Sequence, residues 1–145
     1  MPLVEWKPEF SVGIMRFDDD HRHLITLLNQ LHMSLSSRNC NSALSLALRE
    51  LVWYTQSHFK GEEVHMKRHA YPNLAAHIAE HNRFTEQVVK YVDHFHSGCD
   101  AIGVEVSDAL QEWLITHILG SDAEYGRFFQ TSGDIEIKLP QPASV

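Results

Sequence analysis

The sequence predicts an all-α protein: an antiparallel up-down-up-down four-helix bundle with an N-terminal arm and a short C-terminal extension. Three observations carry that expectation. Apolar residues recur at steps of three and four in four separate stretches, the period of one helical face. Short polar breaks separate the stretches, and short connections make sequential helices antiparallel neighbours. The chain has 145 residues, 43% of them hydrophobic. That is the size of one domain, able to bury about 70% of its unfolded surface without disulfide staples.

The elements follow in order. An arm over residues 1–17 carries Trp6, Phe10 and Ile14, and the bundle is expected over 18–129. The first helix shows Leu24, Leu27, Leu28, Leu31 and Leu35, with Asp18 or Asp19 as N-cap. After the break Ser36-Ser37-Arg38-Asn39-Cys40-Asn41, a second helix carries Leu44, Leu48, Leu51, Thr55 and Phe59. Pro72 stands near the start of the third, where its missing N–H costs little. That helix runs through Leu74, Ile78, Phe84, Val88, Tyr91 and Phe95, and ends at Ser97-Gly98-Cys99-Asp100. A fourth helix carries Leu110, Trp113, Leu114, Ile118 and Tyr125. Each should be about 18 to 26 residues and near 30 Å long. In the tail, residues 130–145, Ile135, Ile137 and Leu139 alternate ahead of Pro140 and Pro142, which predicts an extended segment.

Charge and composition exclude several function classes. A formal net charge of -7 repels phosphate backbones, so no nucleic-acid partner is expected. No apolar run approaches the roughly 18 residues of a membrane span. Met1 to Phe10 carries Glu5 and Lys7 and lacks a signal-peptide core, which predicts a cytoplasmic location. Cys40 and Cys99 have no metal-type spacing and read as two reduced thiols. Both fall in connections at the same end of the bundle, but a reducing cytosol disfavours pairing.

The unusual number is eleven histidines, against 12 Lys plus Arg. Five of them lie in phase with the apolar faces. His21 precedes Leu24 by three and Leu28 by seven. His58 and Glu62 stand four apart on the second helix, and His77 and His81 four apart on the third. His117 follows Trp113 by four, and Asp122 follows His117 by five. Residues four apart project from one face. Each helix therefore offers at least one ligand to the interior. A lone core histidine is more often a hydrogen-bonded residue than a ligand. Five imidazoles and two carboxylates buried together, however, cost several kcal/mol each (~) unless paired or bound to metal. Imidazole with carboxylate suits iron, zinc, copper or nickel rather than calcium or magnesium. Two six-coordinate metals offer twelve positions. Five histidines, two bridging carboxylates and a bridging oxygen fill eleven of these and leave one open.

At these residues the chain resembles the hemerythrins, especially the single-domain bacterial ones. The resemblance spans Trp6 to Tyr125. It runs through Val12-Gly13-Ile14, Phe17-Asp18-Asp19-Asp20-His21, His58-Phe59-Lys60-Gly61-Glu62-Glu63, Tyr71-Pro72, His77-Ile78-Ala79-Glu80-His81, and Trp113-Leu114-Ile115-Thr116-His117 to Asp122. It implies two iron ions per chain. His77, His81 and His117 would hold one, and His21 and His58 the other. Glu62, Asp122 and an oxo or hydroxo group would bridge them. It also implies dioxygen as the partner, bound reversibly at the open position and without turnover. A monomer or weak homo-oligomer is expected.

One departure is visible: many bacterial relatives carry glutamine where this chain has Asp20. Asp20 is read as an acceptor for a ligand imidazole, or else as a helix-end charge. Leu24, Phe59, Trp113 and Ile115 are the expected walls of the oxygen pocket. His23, His32, His65, His69, His94 and His96 are read as surface residues. Glu63, about 100° round the helix from Glu62, is read the same way. Gly61 and Gly120 sit inside helices, and close packing near the metals is the expected reason. Two other functions compete with oxygen carriage. One is a sensor module acting through a partner. The other is a di-iron oxidase, peroxidase or nitric oxide reductase. Ferritin-like oxygenases place Glu-x-x-His on each of two helices, whereas this chain has one such spacing, Glu62 to His65.

Overall fold

Helices begin where apolar periodicity begins, with one shift. The computed structural model describes residues 4–36, 42–97 and 103–132. Helix α1 spans Met15–Ser36, α2 Ser42–Arg68, α3 Leu74–Ser97 and α4 Val104–His117. A π-helical turn, Ile118–Asp122, continues α4 into α5, Ala123–Ser132. The predicted fourth helix is thus α4, a π turn and α5 in one run. Helix α5 includes Gln130, Thr131 and Ser132, the first three residues of the expected tail. The rest of that tail, with Cys40 and Cys99, lies outside the described residues.

Helix α1 opens at Met15, ahead of the expected caps, because Asp18 has another task. Its carboxylate accepts hydrogen bonds from Val12 N at 2.8 Å and from the Ser11 hydroxyl, tying the arm to the first turn. The carboxylate also favours the positive end of the helix dipole. Gly13 supplies the bend with φ +81°, where a side chain is strained. Further up the arm, Asn29 brackets the Val4 backbone, accepting from its N–H at 3.0 Å and donating to its carbonyl at 2.7 Å. Trp6 packs edge-on against Phe10, and the Arg22 guanidinium lies 4.4 Å over the Trp6 ring. Gly126 on α5 lets the arm pass: a Cβ there would fall 2.1 Å from the Val12 carbonyl oxygen.

Helix α1 packs on α2 and α4, and α3 packs on the same two. This closed square is the four-helix bundle. Its two ends differ in chemistry. Leu31, Leu35, Leu44, Leu48, Leu51 and Leu110 fill one end with aliphatic carbon. The start of α1, the end of α2, the start of α3 and the end of α4 meet at the other, which follows from antiparallel neighbours. There the buried polar residues include His21, His58, Glu62, His77, His81, His117 and Asp122. No helix among the described residues is long and apolar enough to cross a membrane.

Candidate metal centre

Each helix delivers its polar residues to one point. His58 and Glu62 share a face of α2, and His77 and His81 share a face of α3, because four residues are just over one α-turn. His117 ends α4, and Asp122 ends the π turn. Five residues along a regular α-helix would turn Asp122 about 140° away from His117. The wider π turn brings it back, and His117 Nε2 lies 3.1 Å from Asp122 Oδ1.

The carboxylates divide their oxygens between two sets of histidines. Glu62 Oε2 faces His58 Nε2 at 3.0 Å and His21 Nε2 at 3.2 Å. Its Oε1 faces His81 Nε2 at 3.1 Å and His77 Nε2 at 3.2 Å. Asp122 Oδ2 faces His21 at 3.1 Å, while Oδ1 faces His77 at 3.0 Å as well as His117. Two overlapping groups result. Glu62, His77, His81, His117 and Asp122 each bring one donor atom to a common point, and His21, His58 and Glu62 do the same.

The donor set fits a cation. His81 Nε2, His117 Nε2 and both Asp122 oxygens are buried without a well-aligned hydrogen bond, although His117 Nε2 lies 3.1 Å from Asp122 Oδ1 and His81 Nε2 lies 3.1 Å from Glu62 Oε1. They therefore aim at a point between them rather than at each other. Three of the imidazoles also have their far nitrogen occupied. His58 Nδ1 donates to Asp20 at 2.8 Å, His81 Nδ1 to Glu63 at 2.9 Å and His117 Nδ1 to Glu80 at 2.7 Å. A neutral imidazole donating from Nδ1 turns a bare lone pair inward from Nε2, the form that binds metal.

Electrostatics point the same way. Burial alone would push His21, His58, His77 and His117 down. The facing Asp122 and Glu62 carboxylates instead raise His21 to about 10 and His77 to about 9. Against the same burial penalty, the Glu62 charge and the Asp20 bond raise His58 to about 8. His117 is raised too, chiefly by Asp122. Both carboxylates are held well below their usual range despite burial, by the imidazoles around them. The pocket thus demands positive charge, which protons or metal ions can supply.

The expected pocket walls separate. Phe59 lies parallel on His81 at 3.7 Å, and Trp113 stacks on His117 at 4.6 Å and on Phe84 at 4.4 Å. Leu24 is buried one turn beyond His21 on α1. Ile115 is not with them. Two residues turn an α-helix by about 200°, and Ile115 lines a small cavity with Val4, Ile25, Leu28, Gln111 and Leu114.

Several expected surface residues are structural. Glu63 is the acceptor for His81 and not a free surface charge. Its partner was invisible in the sequence because the contact crosses to α3. Glu80 is the other residue that spacing did not reveal; it also accepts from the Ser121 hydroxyl at 2.8 Å. His65 is half-buried, hydrogen-bonded through Nδ1 to the Tyr125 hydroxyl at 2.6 Å and edge-on to Phe17. His32 is half-buried as well, 3.1 Å from the Ser107 hydroxyl. His23 and His94 are exposed, and the His96 side chain lies outside the described residues. Neither helical glycine is explained by crowding at the centre. A Cβ at Gly61 would meet the Arg16 guanidinium at 2.7 Å, and at Gly120 it would meet nothing.

Comparison with known proteins gives one answer. Residues 12–129 match the family described as hemerythrin HHE cation binding domain. The bacteriohemerythrin of Stenotrophomonas maltophilia (strain R551-3) is 38% identical over 125 residues, 86% of this chain and 80% of that protein. The bacteriohemerythrin of Methylococcus capsulatus is 31% identical over 127 residues, 87% of this chain and 96% of that one. A wild-type hemerythrin crystal structure superposes with TM-score 0.81 at 30% identity, covering 87% of this chain and 97% of its own. The family match covers most of the chain and its site-bearing helices alike, and the chain belongs to the hemerythrin HHE cation-binding family.

Proposed function

We propose that the centre holds two iron ions and binds dioxygen reversibly. The observation that carries this is the division of the Glu62 and Asp122 oxygens between a three-histidine set and a two-histidine set. In this reading Glu62 and Asp122 would serve both metals, His77, His81 and His117 would hold one, and His21 and His58 would hold the other with a position left for dioxygen. The family and its bacteriohemerythrin relatives support iron as the metal. An iron pair held there would supply the two electrons that reversible dioxygen binding needs. Around it, Phe59 and Trp113 cover His81 and His117 with apolar surface and exclude water. Asp20, Glu63 and Glu80 hold the protons of three imidazoles on their outer nitrogens, which keeps the inner ones free.

The test is anaerobic reduction followed by stopped-flow mixing with oxygen. The protein should carry two irons by metal analysis, take up dioxygen, and release it under vacuum through repeated cycles. Sustained oxygen consumption with a supplied reductant, far faster than spontaneous oxidation, would replace the carrier reading with an enzymatic one.

A further inference from the structure

The acids behind the converging histidines follow a pattern. Asp20 precedes His21 on α1 and holds His58 on α2. Glu63 follows Glu62 on α2 and holds His81 on α3. Glu80 precedes His81 on α3 and holds His117 on α4. Each of the first three helices uses the acid beside its own converging residue to hold the imidazole of the next helix. The ring does not close. His21 Nδ1 is buried without a partner, and Ser121, the neighbour of Asp122, donates to Glu80 instead.

Support is therefore uneven. Glu63 and Glu80 both serve the group that gathers five donors, and Asp20 alone serves the group that gathers three. An acid on Nδ1 fixes the tautomer and ring orientation and makes Nε2 more basic. Among the described residues no acid holds Nδ1 of His77 or of His21, and whichever tautomer His21 takes leaves a polar atom unpaired in the core.

We propose that Glu63 and Glu80 are positioning residues that make the two metal positions unequal: the His77, His81, His117 position keeps its metal, and the His21, His58 position exchanges. This rests on the two-metal reading above. The acids act through the imidazoles and touch no metal themselves.

Release of iron from the loaded, oxidised protein into excess chelator tests it, followed by bound iron per chain and by the charge-transfer absorption. Wild type should lose one iron in a fast phase and the other in a slow phase. Glu63→Gln and Glu80→Gln keep an acceptor but lose the charge. Each should speed the slow phase, by roughly ten- to hundredfold if release follows affinity. Asp20→Asn should speed the fast phase. Glu86→Gln, exposed on α3, should move neither. General loosening of the fold would speed both phases together, so selectivity for one phase is the readout. Should a glutamine variant fail to load, His21→Ala serves instead and should still retain one iron. Loss of both irons of wild type in a single phase, or an effect of Glu63→Gln and Glu80→Gln on the fast phase, overturns the inference while leaving two metals. A chain that never holds two irons overturns both.

Discussion

His65 shows how one residue's neighbours decide its charge. Burial pushes its pKa down, and the nearby His69, Arg68 and Arg16 charges push further, to about 4; only Glu62 opposes them. The fold therefore holds His65 neutral. In the unfolded chain it titrates near the ordinary value of about 6.5. Between those values the unfolded state binds more protons, so stability rises with pH there. Its contribution is complete above about 6.5 and is lost as pH falls towards 4. Denaturant unfolding at pH 6.5 and pH 5 should show wild type losing more stability than His65→Gln, which cannot titrate. Parallel losses would mean that His65 is solvated. His65 stands three residues past Glu62 and seven past His58, close to the buried face, but spacing within one helix does not say what covers it. What packs there, Phe17 and Tyr125, comes from other helices. His21, His58, His77, His81 and Glu62 were legible for the opposite reason. Their spacing from core leucines and from one another lies within single helices, and that spacing alone brings them to the interior.

At the scale of elements, the π turn is the feature that regular spacing hides. His117 and Asp122 stand five apart, a separation that an α-helix cannot aim at one point and a π turn can. The five-residue gap is itself the sequence signal of a wider turn. Gly120 lies within this turn on the exposed side, with open space where its Cβ would stand. Its replacement by alanine meets no steric barrier and restricts the unfolded chain. Gly120→Ala should leave iron content unchanged and raise stability by up to about 1 kcal/mol, read by chemical denaturation. Iron loss in that variant would show that glycine is needed to widen the turn. The helix starts were legible only to within a few residues. Asp18 looks like a cap in sequence, yet it serves the arm, and an arm bond to Val12 leaves no trace in helical period.

At the scale of the molecule, the bundle joins an apolar end that holds it together to a polar end that holds the site. The topology was legible because short connections force neighbours antiparallel, and that alone gathers the ends bearing histidines. A leucine side chain fully buried at the apolar end contributes about 1.5–3 kcal/mol relative to exposure. The other end spends buried volume on Glu62, Asp122 and five imidazoles, whose desolvation must be offset by positive charge. Stripping the metal should therefore weaken the protein without dissolving its helices. A ligand held at a thousand times its dissociation constant stabilises by about 4 kcal/mol, which at this size shifts the melting midpoint by about 10 °C or more. Scanning calorimetry of the iron-loaded and stripped protein at pH 7 should show at least that fall, with far-UV ellipticity at 20 °C largely retained. Equal midpoints would mean that the seven residues satisfy one another with protons alone. Loss of most helix on stripping would mean that the apolar end cannot hold the bundle unaided, and that the metals are part of what folds it.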